Sequence, residues 1–105
     1  MSVVGRRWGR ALLDLASEQK SEDAVQKGLD DVAAMLASSA PLRNVFESPN
    51  IAPAARRAVI VELAQKAALP PMLVNALKLL ADKNRFTSLP EIADADRELA
   101  EERGG

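Results

Sequence analysis

The sequence predicts an all-α protein, a compact six-helix bundle forming a single domain. Three observations carry that expectation. Apolar residues recur at spacings of three and four along six stretches, and no stretch alternates with the period of two expected of a half-buried strand. Proline and serine punctuate the boundaries, and the joints are short enough to favour antiparallel neighbours. Aromatic residues make up 3% of the 105-residue chain and hydrophobic residues 48%, so the core has to be aliphatic, which suits helix-on-helix packing.

The first helix is expected over about residues 2–18, with Ser2 as N-cap. Val4, Trp8, Ala11, Leu12 and Leu15 form one face, and Leu13 and Ala16, with Gly9, widen it. A glycine inside a helix costs about 1 kcal/mol against alanine, so a close helix neighbour is the plain reason for Gly9. Ser21 is placed to cap a second helix, with Glu22 and Asp23 favourable against its dipole. Val25, Leu29, Val32 and Leu36 point inward, while Asp30 and Asp31 belong to the polar face. Ser38, Ser39 and Pro41 break that helix and start a short third, whose apolar side is Leu42, Val45 and Phe46. Pro49 ends it by disfavouring helical geometry at Ser48.

Pro53 opens a fourth helix, with Val59, Ile60, Leu63, Ala64 and Ala67 inward and Arg56, Arg57, Glu62 and Lys66 outward. Pro70 and Pro71 separate it from the fifth, which carries two adjoining apolar stripes, Leu73–Leu77–Leu80 and Met72–Ala76–Leu79. Asn84 reads as a left-handed C-cap, and Ser88-Leu89-Pro90-Glu91 as a capping box opening the sixth helix. That helix has the thinnest apolar face, Ile92, Ala95 and Leu99, and its end at residues 101–105 is expected to fray.

Composition narrows function sharply. The chain has no Cys, no His and no Tyr, which rules out a disulfide framework, a thiol nucleophile, a Cys/His zinc site and a Ser-His-Asp triad. Its five glycines, at 5, 9, 28, 104 and 105, cannot form a phosphate cradle. Carboxylate chemistry or a Ser-Lys pair would remain. However, Asp94–Asp96, Glu101–Glu102 and Asp30–Asp31 read as solvated surface charge. No cofactor, metal or small-molecule substrate is expected. The net charge of −1 does not advertise nucleic acid, although Arg6, Arg7 and Arg10 form a local basic cluster. No apolar run approaches the roughly 20 residues of a bilayer span, and the N-terminus lacks a signal-peptide core.

The most informative feature is surplus apolar surface on the first and fifth helices. Either each is buried on two sides, or the two flank a groove for a partner's amphipathic helix. Trp8 is correspondingly either core or an anchor beside that groove, with Gly9 and Ala11 leaving relief where another helix can lie.

Three stretches resemble a known family. Gly5-Arg6-Arg7-Trp8-Gly9-Arg10-Ala11-Leu12-Leu13-Asp14-Leu15-Ala16 is similar to its opening pattern, with Trp8 where the family has tyrosine. Leu42-Arg43 through Ser48-Pro49-Asn50-Ile51 is similar to a second pattern. Asn75-Ala76-Leu77-Lys78-Leu79-Leu80-Ala81-Asp82-Lys83-Asn84-Arg85-Phe86 through Leu89-Pro90-Glu91-Ile92 is similar to a third, the most specific. The family is the delta subunit of bacterial F-type ATP synthase, equivalent to the mitochondrial oligomycin-sensitivity-conferring protein, and the resemblance is to its N-terminal domain.

The resemblance implies a six-helix bundle over residues 1–105 and a stator component without chemistry, peripheral on the cytoplasmic face of the bacterial inner membrane. It implies that the N-terminal helix of an alpha subunit is gripped between the first and fifth helices. By position, the groove residues are Trp8, Ala11, Leu12 and Leu15 on one side and Ala76, Leu79, Leu80 and Lys83 on the other, with Lys83 a rim charge. Contact with the peripheral stalk's b subunit belongs to a second, C-terminal domain, and the chain stops near where that domain is expected to begin. No nucleic acid and no direct membrane insertion are implied. A rival reading, a small all-helical RNA-binding or antitermination-type domain, would need a basic, aromatic-bearing face. A carboxylate enzyme would need a concave pocket with strongly shifted acids.

Overall fold

A computed structural model describes residues 2–104. Six α-helices follow one another: α1 (Val3–Glu18), α2 (Glu22–Ser38), α3 (Ala40–Glu47), α4 (Pro53–Ala67), α5 (Pro71–Asp82) and α6 (Leu89–Gly104), with no strand among the described residues. The fold class is the expected one. The helix starts are local chemistry: the Ser2 hydroxyl accepts the Gly5 N–H at 2.9 Å, and the Ser39 hydroxyl accepts the Leu42 N–H at 3.2 Å. Prolines occupy the first turns of α3, α4 and α5, where no N–H is needed.

Three helix ends use a left-handed residue, Lys20, Ala68 and Asn84, with φ of 54°, 51° and 57°. After α5 the Arg85 N–H reaches the Leu80 carbonyl at 2.8 Å and the Asn84 N–H reaches that of Ala81 at 3.1 Å, a Schellman closure. The same closure after α1 makes Ser21 a different residue from the one expected. Its N–H bonds the Ala16 carbonyl at 2.8 Å, its backbone lies at φ −124°, ψ 26°, and its hydroxyl makes no capping bond to α2. Ser21 still stands at the N-cap position, its carbonyl accepting the Val25 N–H at 2.9 Å, but its side chain supplies none of the cap. The chain also enters α6 differently from the expected capping box: a 3₁₀ turn, Phe86–Ser88, leads directly into it. The fraying expected over residues 101–105 is not found in the described part of that stretch, since α6 stays helical through Gly104; Gly105 lies outside the described residues.

The sixth helix departs most from its expected role. It is central, packed most extensively on α1 and next on α2. Leu89, Ile92, Ala93, Ala95 and Leu99 are all buried. α1 and α6 run parallel, with Gly5 opposite Glu91, Gly9 opposite Ala95, and Asp14 bonded to Arg103 at 2.7 Å. A Cβ at Gly9 would fall 2.8 Å from the Ala95 Cβ, and one at Gly5 would fall 2.9 Å from the Glu91 carbonyl oxygen. Backbones this close admit only glycine. The relief around Gly9 is therefore filled by α6, and only the bland reading of that residue holds.

Elsewhere the core is aliphatic as composition requires, built on Val25, Leu29, Val32 and Leu36 of α2 and Leu73, Leu77 and Leu80 of α5. Phe46 and Phe86 stack with centroids 3.7 Å apart, fastening α3 to the 3₁₀ turn. Two arginines act as joints. Arg43 donates to the carbonyls of Leu36 and Ala37 at 2.6 and 3.0 Å, satisfying the end of α2. Arg56, expected to face outward, instead donates to the carbonyls of Val45 and Ser48 and to the Asn84 side chain, tying α4 to the ends of α3 and α5.

Candidate functional site

The two stripes of α5 separate cleanly. Leu73, Leu77 and Leu80 have no exposed surface, while Met72 and Ala76 are half-buried and Leu79 is 46% exposed. α1 divides the same way. Leu12, Leu13 and Ala16 are buried with Gly5 and Gly9, whereas Trp8 is half-buried, Ala11 exposed and Leu15 44% exposed. The outward stripes meet. A mostly apolar trough of about 380 Å³ has Trp8, Ala11, Leu12 and Leu15 on its α1 side and Met72, Asn75, Ala76 and Leu79 on its α5 side. Trp8 packs against the core below and leaves part of its ring at the trough.

The trough exists because α1 and α5 touch only lightly. α1 is drawn tightly onto α6 by its glycines, and α5 is held by α4 and by Gly28 of α2, whose missing side chain leaves room for Leu69 and Leu73. The two helices run antiparallel. Lys83, just past the end of α5, shares a cavity with Arg7 and Trp8, while the Ser21 hydroxyl lies 4.0 Å from the Met72 sulfur at the other end.

Of the eight residues expected at the groove, six line the trough: Trp8, Ala11, Leu12, Leu15, Ala76 and Leu79. Leu12 is nearly sealed, at 2% exposure, and forms the floor. Leu80 is not at the trough. It is fully buried, whereas Leu79 is exposed, so its placement there is corrected: neighbours in sequence sit about 100° apart around a helix, enough to turn Leu80 into the core. Lys83 lies beyond the apolar part, in an adjoining cavity of about 630 Å³ that it shares with Arg7, Trp8, Ala11 and Arg85. Met72 and Asn75 were not among the expected set. Met72 was legible as the first member of the outer stripe, whereas Asn75 has no apolar signal.

One acid departs from the surface reading. Asp94 is exposed and pairs with Arg97 at 3.3 Å, but Asp96 is 1% exposed at the seam between α6 and α1, and its Oδ1 has no hydrogen-bond partner. Burial pushes its carboxyl up to about 6; the charge of Asp30 adds to the rise, and Arg97 and Arg103 oppose it. Asp30 itself is tied to Arg97 and to the Gln26 amide. Asp96 does not line the trough. No helix among the described residues is long and apolar enough to cross a membrane.

Comparison with known proteins identifies the family of the chain. Residues 4–105 match the family model described as ATP synthase delta (OSCP) subunit. The chain is 35% identical over 104 residues to the ATP synthase subunit delta of a Geobacter species, covering 99% of this chain and 58% of that protein. It is 36% identical over 95 residues to the subunit delta of Ruegeria pomeroyi, covering 90% and 51%, and 38% identical over 106 residues to that of Myxococcus xanthus, covering 97% and 57%. The chain thus spans a little over half the length of these relatives.

Proposed function

Because this chain belongs to the ATP synthase delta (OSCP) subunit family, we propose that it is a non-catalytic stator piece, and that its α1/α5 trough holds the N-terminal helix of an alpha subunit. In this reading it sits peripherally on a membrane-associated F-type complex, at the top of the catalytic head. The link onward to the stalk's b subunit runs through sequence beyond that matched here.

The observation that carries the reading is the pair Leu15 and Leu79. Among the described residues four large hydrophobic side chains are exposed, and these two line the same trough. With about half of each side chain still in water, each has on the order of 1 kcal/mol to gain from a guest. Trp8 adds a larger aromatic anchor of the kind that dominates helix-in-groove binding. No group in the trough is equipped for proton transfer or nucleophilic attack, since its lining is apolar apart from Asn75.

Trp8 is the chain's only indole, so its emission is a direct reporter. Adding the alpha N-terminal peptide is expected to shift that emission saturably, and Leu79→Glu is expected to abolish the shift while helical circular dichroism is retained. Loss of helicity in Leu79→Glu would contradict the outward placement of Leu79, and an unmoved emission in the wild type would contradict the docking site.

A further inference from the structure

An apolar trough gives its guest no direction: a stripe of leucines buries nearly the same area whichever way the helix lies. The charges at the two ends of this trough differ. At the Trp8 end stand Arg7, Lys83 and Arg85, lining one cavity continuous with the trough through Trp8 and Ala11. None of these three has an acidic partner among the ion pairs of the described residues. At the Met72 end, fixed by the contact of its sulfur with Ser21, the α1–α2 joint carries Glu18, Glu22 and Asp23, all exposed, against the single Lys20. The whole chain is close to neutral, at −1, so this separation is local.

We propose that the guest helix is bipolar. It carries its carboxylates at the end that meets Arg7, Lys83 and Arg85, and its lysines or arginines at the end that meets Glu18, Glu22 and Asp23; this charge pairing sets its direction in the trough. The inference rests on the groove reading above and adds the guest's charge chemistry to it. Wrong-way docking brings like charges together at both ends, which is how rim charges select register and orientation while the apolar core supplies affinity. Because the rim is exposed, its effect is screened by salt.

The test uses the alpha N-terminal peptide with a nitroxide placed at either end, read through amide NMR signals of this chain. The label at the carboxylate-rich end is expected to broaden Arg7 and Lys83, and the label at the other end to broaden Leu15 and Met72. The reversed pattern, or equal broadening from both labels, overturns the inference while leaving the groove intact. In parallel, the double variant Arg7→Gln, Lys83→Gln is expected to bind the unlabelled peptide about five- to tenfold more weakly at low salt and to show a shallower salt dependence than the wild type. Unchanged affinity overturns the inference. Failure of the wild-type chain to bind the peptide at all removes the groove reading, and the inference falls with it.

Discussion

The two flanks of α1 belong to one helix and reach opposite ends. On the α6 flank, Gly5 and Gly9 bring two backbones into contact, and even a methyl group would collide with Ala95 or the Glu91 carbonyl. On the α5 flank, Trp8, Ala11 and Leu15 stand over a trough that α5 does not close. The first flank is small residues packed tightly; the second is large residues packed loosely. Apolar surface alone does not mark a binding face. What marks it is apolar surface on an element whose position is already fixed from the other side, so that the gap cannot collapse.

The comparison can be broken most severely at its closed flank. Gly9→Leu should unfold the bundle or cost at least about 3 kcal/mol, since a whole side chain has no room between α1 and α6; chemical denaturation would show it. Leu80→Ala should cost about 2–5 kcal/mol by leaving a cavity in the core, whereas the adjacent Leu79→Glu should change stability by less than about 0.5 kcal/mol yet weaken peptide binding by about 100-fold or more. Comparable stability losses for the two leucines would erase the distinction between the stripes of α5.

Asp96 sharpens the closed flank in another way. Its folded pKa, about 6, lies above its ordinary 3.8. The native state therefore holds its proton more tightly than the unfolded chain. The stabilisation from this group is full below about pH 4 and is lost as pH rises through about 6. Asp96→Asn should accordingly stabilise the protein at pH 7, by roughly 1–3 kcal/mol. It should also remove the decline between pH 4 and 6 and converge with the wild type near pH 4, as thermal melts across that range would reveal. A variant with an unchanged pH profile would mean that Asp96 is solvated. The smallest effect belongs to the open flank: Leu15→Ser should leave stability within about 0.5 kcal/mol and weaken the peptide by a factor of a few, about 1 kcal/mol or less.

The open flank was the more legible of the two in the sequence. Surplus leucines on α1 and α5 stand out at helical spacing, and six of the eight expected groove residues line the trough. Periodicity could not separate Leu79 from Leu80, because two adjoining stripes look alike until one of them is turned inward by packing. The closed flank was nearly invisible. Glycine, alanine and a buried aspartate carry no hydropathy signal, so α6 read as the weakest helix although it is central. Ser21 and Arg56 were misread for a related reason: each looked like a local cap or a surface charge, and each is recruited by a neighbouring element that no window of sequence contains.

The most direct test of the whole account is an amide NMR titration of the chain with the alpha N-terminal peptide. The account predicts shifts concentrated on Trp8, Ala11, Leu15, Met72, Ala76 and Leu79, with Gly5, Gly9 and Ala95 still. Shifts centred on the α1–α6 seam, with the trough residues unmoved, would contradict it.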